Sequence, residues 1–378
     1  MGTHAMGGRL KRAVVGMAVW GWLAAAGAGQ VVVGQVAPMS GLEAGLGRGY
    51  AAGLQLAFLQ ANKNEAIGHT FSLVSKDDGG RPDSTLSATS QLLAEHKPVA
   101  LAGYFGNRNI ADLVKAGVLE QEKIALVGYR TSEIRPDVPY LYSVRAGLKD
   151  EIQKITEHLA TIGIKRLGLL YEEGAGADAL VATVDDIAKR QGSSIVARAG
   201  YPAGTMKVSQ AIDTLSQATP QAILMMASGS AAAAFIEQYR LAGGKAQLFA
   251  QSGADIEQLA KRLGEDTMQG VAIAQVTPSP YRITSRLAKE LNDTVAKTPG
   301  IDQPMSYAMM EGYIAGKVIV EAARRMGRTV SREGFVAALD GLDGVDLGGY
   351  RLGFKPGVRT GSRFVELSIV TGAGRIRQ

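Results

Sequence analysis

From residue 31 onward, short and nearly continuous apolar runs alternate with stretches of helical periodicity, and this alternation restricts the fold more than any other feature. The runs are VVVGQVA (31–37), TFSLVS (70–75), VALAGYF (99–105), IALVGY (124–129), RLGLLYE (166–172), SIVARAG (194–200), AILMMAS (222–228), AQLFAQ (246–251) and GVAIAQV (270–276). Runs of this kind mark strands buried on both faces of a parallel sheet. Between them, Tyr50, Leu54, Ala57, Phe58 and Ala61 illustrate the helical spacing, all falling on one face of a helix. Strand and helix in alternation give doubly wound α/β units.

One sheet does not comfortably hold so many strands, and 378 residues exceed a single core, so two lobes are expected. The first break follows Pro136 to Pro139, where YLYSVRAG (140–147) leads into a fresh series of units. A second extended passage, AQVTPSPY (274–281), precedes two long helices over 282–298 and 304–326. A third passage is GVDLGGYRLGF (344–354). Three crossings predict lobes built from discontinuous pieces: 31–143 with 277–345, and 144–276 with 346–378.

The first residues read as a cleavable export leader spanning 1–29: Arg9, Lys11 and Arg12, an apolar run from Ala13 to Ala28, then small residues near Ala26-Gly27-Ala28. A run of sixteen residues falls short of the roughly 20 needed to span a bilayer, which disfavours an uncleaved anchor. Removing the leader lowers the formal charge from +6 to +3 and takes away both tryptophans, Trp20 and Trp22. The basic balance is therefore no argument for nucleic acid, and none is expected as a partner. With no cysteine, disulfides, thiol chemistry and a lipid-modified N-terminal cysteine are all excluded. An unanchored periplasmic or extracellular protein is the expectation.

Little in the chain suggests catalysis. His4, His69, His96 and His158 are scattered without metal-site spacing, so neither metal nor cofactor is expected. GAGADA (174–179) fits a dinucleotide-binding pattern, but Glu172 and Glu173 would face the pyrophosphate and no acid ends the next strand to hold a ribose. A nucleotide-dependent oxidoreductase is thus a distant alternative. Asp77-Asp78 ends a strand with no nucleophile or base placed beside it, so acid/base chemistry has no support.

The segment AGYFGNRNI (102–110) is more informative, because an apolar strand passes through Gly106 into a helix start at Asn107. Such a junction presents free backbone N–H groups and positive dipole potential, a place for a ligand.

Taken in order, GQVAPMSG, GLGRGYAAGLQLAFLQAN, LVSKDDGGRPDSTLSATSQLL, ALAGYFGN, SYAMMEGYIAGKVIVEAARRMG and DLGGYRLGFKPGVRTGSRFVELSIV resemble a type I periplasmic solute-binding protein of an ABC importer, on the leucine/isoleucine/valine-binding branch. The resemblance extends over residues 31 to 371. It implies two Rossmann-like lobes joined by a three-segment hinge, a small-molecule ligand trapped between them by hinge closure, and permease and ATPase subunits as partners. It also implies that the protein is not an enzyme.

In amino-acid-binding relatives, the loop after the third strand grips the ligand carboxylate with hydroxyl groups. Here the matching stretch is Phe105, Gly106, Asn107 and Arg108, and the next loop reads Tyr129, Arg130 and Thr131. Gly176 stands where relatives place an aromatic residue, and Ser252 aligns with their acidic ammonium anchor, Asp255 being a substitute three places on. Ser228 marks another cleft edge. This pattern implies a roomier cleft than a free amino acid needs. A bulky apolar, aromatic or sterol-like ligand would use Tyr104, Phe105 and Tyr129 for surface and Asn107 for a hydrogen bond. An aromatic or other carboxylate held by Arg130 or Arg108 is the alternative, as is a ligand-sensing domain serving a regulator.

Overall fold

A computed structural model describes residues 1–2, 29–131, 137–371 and 376–377. The leader expected over 1–29 therefore falls almost wholly outside the described residues, as does Pro136 at the first expected break. In the first lobe the chain runs β1 (Gly29–Ala37), α1 (Ala44–Asn62), β2 (His69–Asp77), α2 (Pro82–His96), β3 (Ala100–Phe105), α3 (Asn107–Lys115), α4 (Val118–Gln121), β4 (Ala125–Arg130) and β5 (Leu141–Tyr142). These strands form a parallel sheet in the order β2-β1-β3-β4-β5.

The second lobe follows as α5 (Leu148–Thr161), β6 (Arg166–Glu172), α6 (Ala177–Arg190), β7 (Ser194–Tyr201), α7 (Ser209–Ala218), β8 (Ala222–Met226), α8 (Gly229–Leu241), β9 (Gln247–Ala250), α9 (Ile256–Met268) and β10 (Ala272–Gln275). The chain then returns through α10 (Arg286–Ala296), α11 (Tyr307–Met326), α12 (Arg332–Asp340) and the paired β11 (Val345–Asp346) and β12 (Arg351–Leu352), and ends in β13 (Glu366–Val370) and β14 (Ile376–Arg377). The second sheet has the order β14-β13-β10-β9-β8-β6-β7, parallel except for β13 and β14.

Each strand read from an apolar run forms, its ends within two residues of expectation. The two long helices begin later than expected because Ser285 and Ser306 cap them, their hydroxyls each accepting a backbone N–H at 3.1 Å from Ala288 and Met309. The two-residue strands β5, β11 and β12 are too short to show any period. Residues 346–354, expected with the second lobe, pack on the first: Leu347, Tyr350, Leu352 and Phe354 join its core, and Phe354 meets Tyr142 edge-on at 5.3 Å.

The first core turns on the contact between α1 and α11. The helices approach so closely that a methyl on Gly312 would strike the Tyr50 carbonyl, and one on Gly53 would strike the Met309 carbonyl. Tyr50, Leu54, Ala57, Phe58 and Ala61 are buried against Met309, Tyr313 and Val318 as a result.

Three segments join the lobes, after β5, after β10 and after β12. The first and third run side by side: the Ser143 N–H donates to the Arg359 carbonyl and the Gly361 N–H to the Ser143 carbonyl, both at 2.8 Å. The Tyr350 hydroxyl fastens the first to the second, 2.8 Å from the Val144 carbonyl and 3.1 Å from that of Val276. Glu257 on α9 adds a polar anchor, accepting from the Tyr281 hydroxyl and from the Tyr307 N–H at the start of α11, each at 2.8 Å. Burial, and then the neighbouring Asp255 carboxyl, push the Glu257 carboxyl up to about 8.

Two predictions follow from this packing. Gly312→Ala is expected to lower stability by about 1–3 kcal/mol through overpacking, although helix propensity alone would raise it by roughly 0.5–1 kcal/mol; the sign is read from the urea unfolding midpoint. The second concerns protons. A carboxyl raised on folding binds its proton more tightly in the native state, so its contribution is full below the ordinary value of 4.5 and is lost as the pH rises through about 8. Melting temperature should therefore fall across that window more steeply in the native protein than in Glu257→Gln, and parallel curves would contradict the assignment.

Candidate functional site

In a parallel sheet every strand delivers the N-terminus of its following helix to the same edge, and ligands of open α/β sheets lie outside that edge. Here the edge of the first sheet carries Glu43 at the start of α1, Gly106 and Asn107 at the start of α3, and Arg130 at the end of β4 with Thr131 following it. Facing it, the second sheet offers Gly176 before α6, Ser228 before α8 and Asp255 before α9. Gly106 is required where it stands, since its φ of 101° is left-handed and a side chain there would strike Asn109.

Residues of both lobes line an open cavity of about 350 Å³, with Leu42, Glu43 and Leu46 from the first and Ser230, Ala233, Asp255 and Leu259 from the second. The lining mixes apolar and small residues with a carboxyl group from each lobe, the neutral polar Ser230 and Gln258, and the exposed cations Lys261 and Arg262. Burial holds the Glu43 carboxyl above its ordinary range; Asp255 and then Asp78 add to this, while Arg130 pulls the other way. Asp255 accepts the Gln258 N–H at 3.1 Å and caps α9 from a left-handed backbone, φ 56°. A non-glycine residue held in that region is a strained position of the kind found at ligand clamps.

The expected site residues divide between several environments. Tyr104 and Phe105 point to opposite faces of β3, as successive strand residues must, and both are enclosed. The Tyr104 hydroxyl lies 3.1 Å from that of Thr89 on α2, whereas Phe105 packs edge-on to Tyr50 at 5.5 Å, with the Arg130 guanidinium 5.9 Å from its ring centre. Arg108 is exposed, 3.3 Å from Asp112 and 3.8 Å from Asp83. Thr131 and Asn107 meet each other, the hydroxyl donating to Asn107 Oδ1 at 2.7 Å. Tyr129 and Thr131 also line a second cavity, of about 660 Å³, that follows the first and third connecting segments. Gly176 is half-buried before α6. The Ser228 hydroxyl caps α8 by accepting the Ala231 N–H at 3.4 Å, so it serves the helix.

Arg130 and Ser252 belong to a buried chain of charges. Arg130 Nε donates to Glu311 Oε2 at 2.9 Å, and Arg145 Nη1 stands 3.8 Å from the same oxygen. Arg145 Nη2 reaches Glu151 Oε1 at 3.1 Å and also donates to the Ser252 hydroxyl. Ser252 in turn gives its N–H to Glu151 Oε2 at 2.7 Å and its hydroxyl to Oε1 at 2.9 Å. Among the described residues, Arg130 Nη1, Arg145 Nη1, Glu311 Oε1 and the Tyr50 hydroxyl are buried without a hydrogen-bond partner.

Sequence reasoning missed Glu43, Arg145, Glu151 and Glu311. Glu43 directly follows the quoted GQVAPMSG and Leu42, where loop position alone could have flagged it. Arg145 and Glu151 are six residues apart across the first connecting segment, and nothing in their spacing shows that both are buried. Among the described residues no group of three or more histidines and carboxylates could hold a metal, and no helix is long and apolar enough to cross a membrane.

A family described as periplasmic binding protein matches residues 30–365. The Leu/Ile/Val-binding protein homolog 8 of Brucella abortus (strain 2308) is 23% identical over 369 residues, covering 90% of this chain and 88% of that protein. Among solved structures, a substrate-binding periplasmic protein from Ralstonia solanacearum superposes with a TM-score of 0.84 at 35% identity, covering 92% of this chain and 99% of that one. A possible leucine/isoleucine/valine-binding protein from Rhodopirellula baltica SH 1 gives 0.83 at 25% identity, covering 93% and 96%. With two parallel-sheet lobes, three connecting segments and a cavity between the strand ends, the chain belongs to the type I periplasmic binding proteins, in the family of the leucine/isoleucine/valine-binding proteins.

Proposed function

We propose that this protein is the exported, periplasmic solute-binding component of an ABC importer, and that its ligand is a small organic cation with an apolar body. It makes and breaks no covalent bond; it binds, closes, and presents the closed form to permease and ATPase subunits. The observation that carries the ligand class is the pairing of Glu43 and Asp255, one from each lobe, in the lining of a single cavity of about 350 Å³.

Two carboxyl groups brought together by lobe closure repel, and burial adds to the cost. A protonated nitrogen between them reverses both terms, so the same solute that fills the cavity favours its closure. Arg130 eases the Glu43 carboxyl but is itself paired with Glu311 at 2.9 Å, and Lys261 and Arg262 of the same lining are exposed to solvent, which screens their charge. Leu42, Leu46, Ala233 and Leu259 provide an apolar wall for the remainder of the molecule. At the lower end of the roughly 300–1,000 Å³ typical of ligand pockets, the cavity suits a compact solute better than a sterol. The aromatic surface expected from Tyr104 and Phe105 is turned into the core and does not favour an aromatic ligand.

A free amino acid fits less well, because the Thr131 hydroxyl donates its proton to Asn107 and that of Ser252 donates to Glu151, leaving neither to grip a carboxylate. A second reading, a carboxylate ligand, is favoured by one observation, the unpartnered Nη1 of buried Arg130.

A thermal-shift screen of matched compounds, each offered as amine, carboxylate and neutral amide, with leucine included, separates the readings. The amine series is expected to raise the melting temperature most. Calorimetry should then show Glu43→Gln and Asp255→Asn each weakening the best amine about 10- to 100-fold, since a hydrogen bond to a charged group contributes roughly 1.5–3 kcal/mol. Preference for the carboxylate series, with loss of binding in Arg130→Gln, would replace this reading by the second. Sub-micromolar affinity for leucine would overturn both.

A further inference from the structure

Arg145 is the one member of the buried charge chain that sits on a connecting segment, between β5 and α5. On one side its Nη1 approaches Glu311 of α11, in the first core; on the other its Nη2 donates to Glu151 of α5 and to Ser252 after β9, in the second lobe. Side-chain and backbone bonds from Ser252 to Glu151 make those two a single unit that moves with the second lobe. Arg145 is 4% exposed, Glu151 2%, Ser252 3% and Glu311 0%, so these contacts are largely withdrawn from solvent, although Arg145 and Glu151 border the cavity of about 660 Å³.

We propose that Arg145 is a positioning residue that fixes the angle between the lobes, by clasping Glu311 of the first lobe to the Glu151–Ser252 unit of the second. Buried ion pairs of this kind contribute little net stability, because desolvation offsets their attraction; their attested use is to select one arrangement over another. The clasp also acts through Glu311 on Arg130, whose Nε rests on the same Oε2. An altered lobe angle therefore displaces Arg130 at the cleft. Ser252, expected from the sequence to touch ligand, serves here as the second lobe's end of the clasp. None of this depends on which solute the protein carries.

The absence of cysteine in the chain permits a direct test. Spin labels on Leu59→Cys of α1 and Leu241→Cys of α8, both exposed positions on different lobes, report the interlobe distance by pulsed electron resonance in protein with no solute added. Glu151→Gln and Ser252→Ala are expected to move or broaden the distance distribution while circular dichroism stays that of the folded protein. Arg145→Met should do so most, and Arg145→Lys, which keeps the charge, should bring the distribution part of the way back. Should Arg145→Met fail to fold, Ser252→Ala reads the same contact. Unchanged distributions in folded Ser252→Ala and Glu151→Gln would overturn the proposal. Because no solute is used, that failure is separate from any failure of the ligand assignment.

Discussion

Glu311 is fully enclosed beside two guanidinium groups, and the arrangement of the lobes depends on how its charge is met. A buried carboxylate with one partner removed is strongly unfavourable, so the positions of Arg130 and Arg145 are tied to it. Arg130 stands at the cleft edge of the first sheet and Arg145 on the connecting segment, which places one acid in contact with both the binding region and the hinge. Further along, burial raises the Glu151 carboxyl, and Arg145 first, then the Ser252 hydrogen bonds, oppose that effect.

The cleft obeys the opposite logic. Where the hinge charges are matched within the protein, the cavity receives one carboxyl from each lobe, Glu43 and Asp255, with the exposed Lys261 and Arg262 beside them. A binding protein must pay for closure from its ligand, and an arrangement that is unfavourable when empty makes closure conditional on the right molecule. Specificity then comes from repulsion as well as from attraction, since a solute without a positive group leaves the two carboxyls unrelieved. The hydrogen-bonded contacts around Tyr350 and Glu257 keep the three connecting segments together while this exchange takes place.

Much of the fold is legible in the sequence because buried parallel strands announce themselves as unbroken apolar runs, as in IALVGY and AILMMAS. The same rule explains what was not legible. Strands β5, β11 and β12 are two residues long, too short for an apolar run, and Tyr350 shows its role only once Val144 and Val276 lie beside it. The candidate site was less readable than the fold. Tyr104 and Phe105 occupy the right strand end, but they point to opposite faces of β3 and each face is covered, so both are buried, and Arg108 faces solvent on α3. Position in a loop indicates which edge a residue reaches; whether its side chain enters the cleft is decided by neighbours such as Thr89, Tyr50 and Asp112, none adjacent in sequence.

The central claim is that a protonated nitrogen is held between the lobes. It is tested most directly by native mass spectrometry of protein purified without denaturation from its own host, followed by unfolding and identification of the released molecule. The account predicts a compact organic molecule bearing a basic nitrogen, retained by the native protein and lost in Asp255→Asn. Release of a carboxylate or of a neutral lipid, retained equally by the variant, would contradict it.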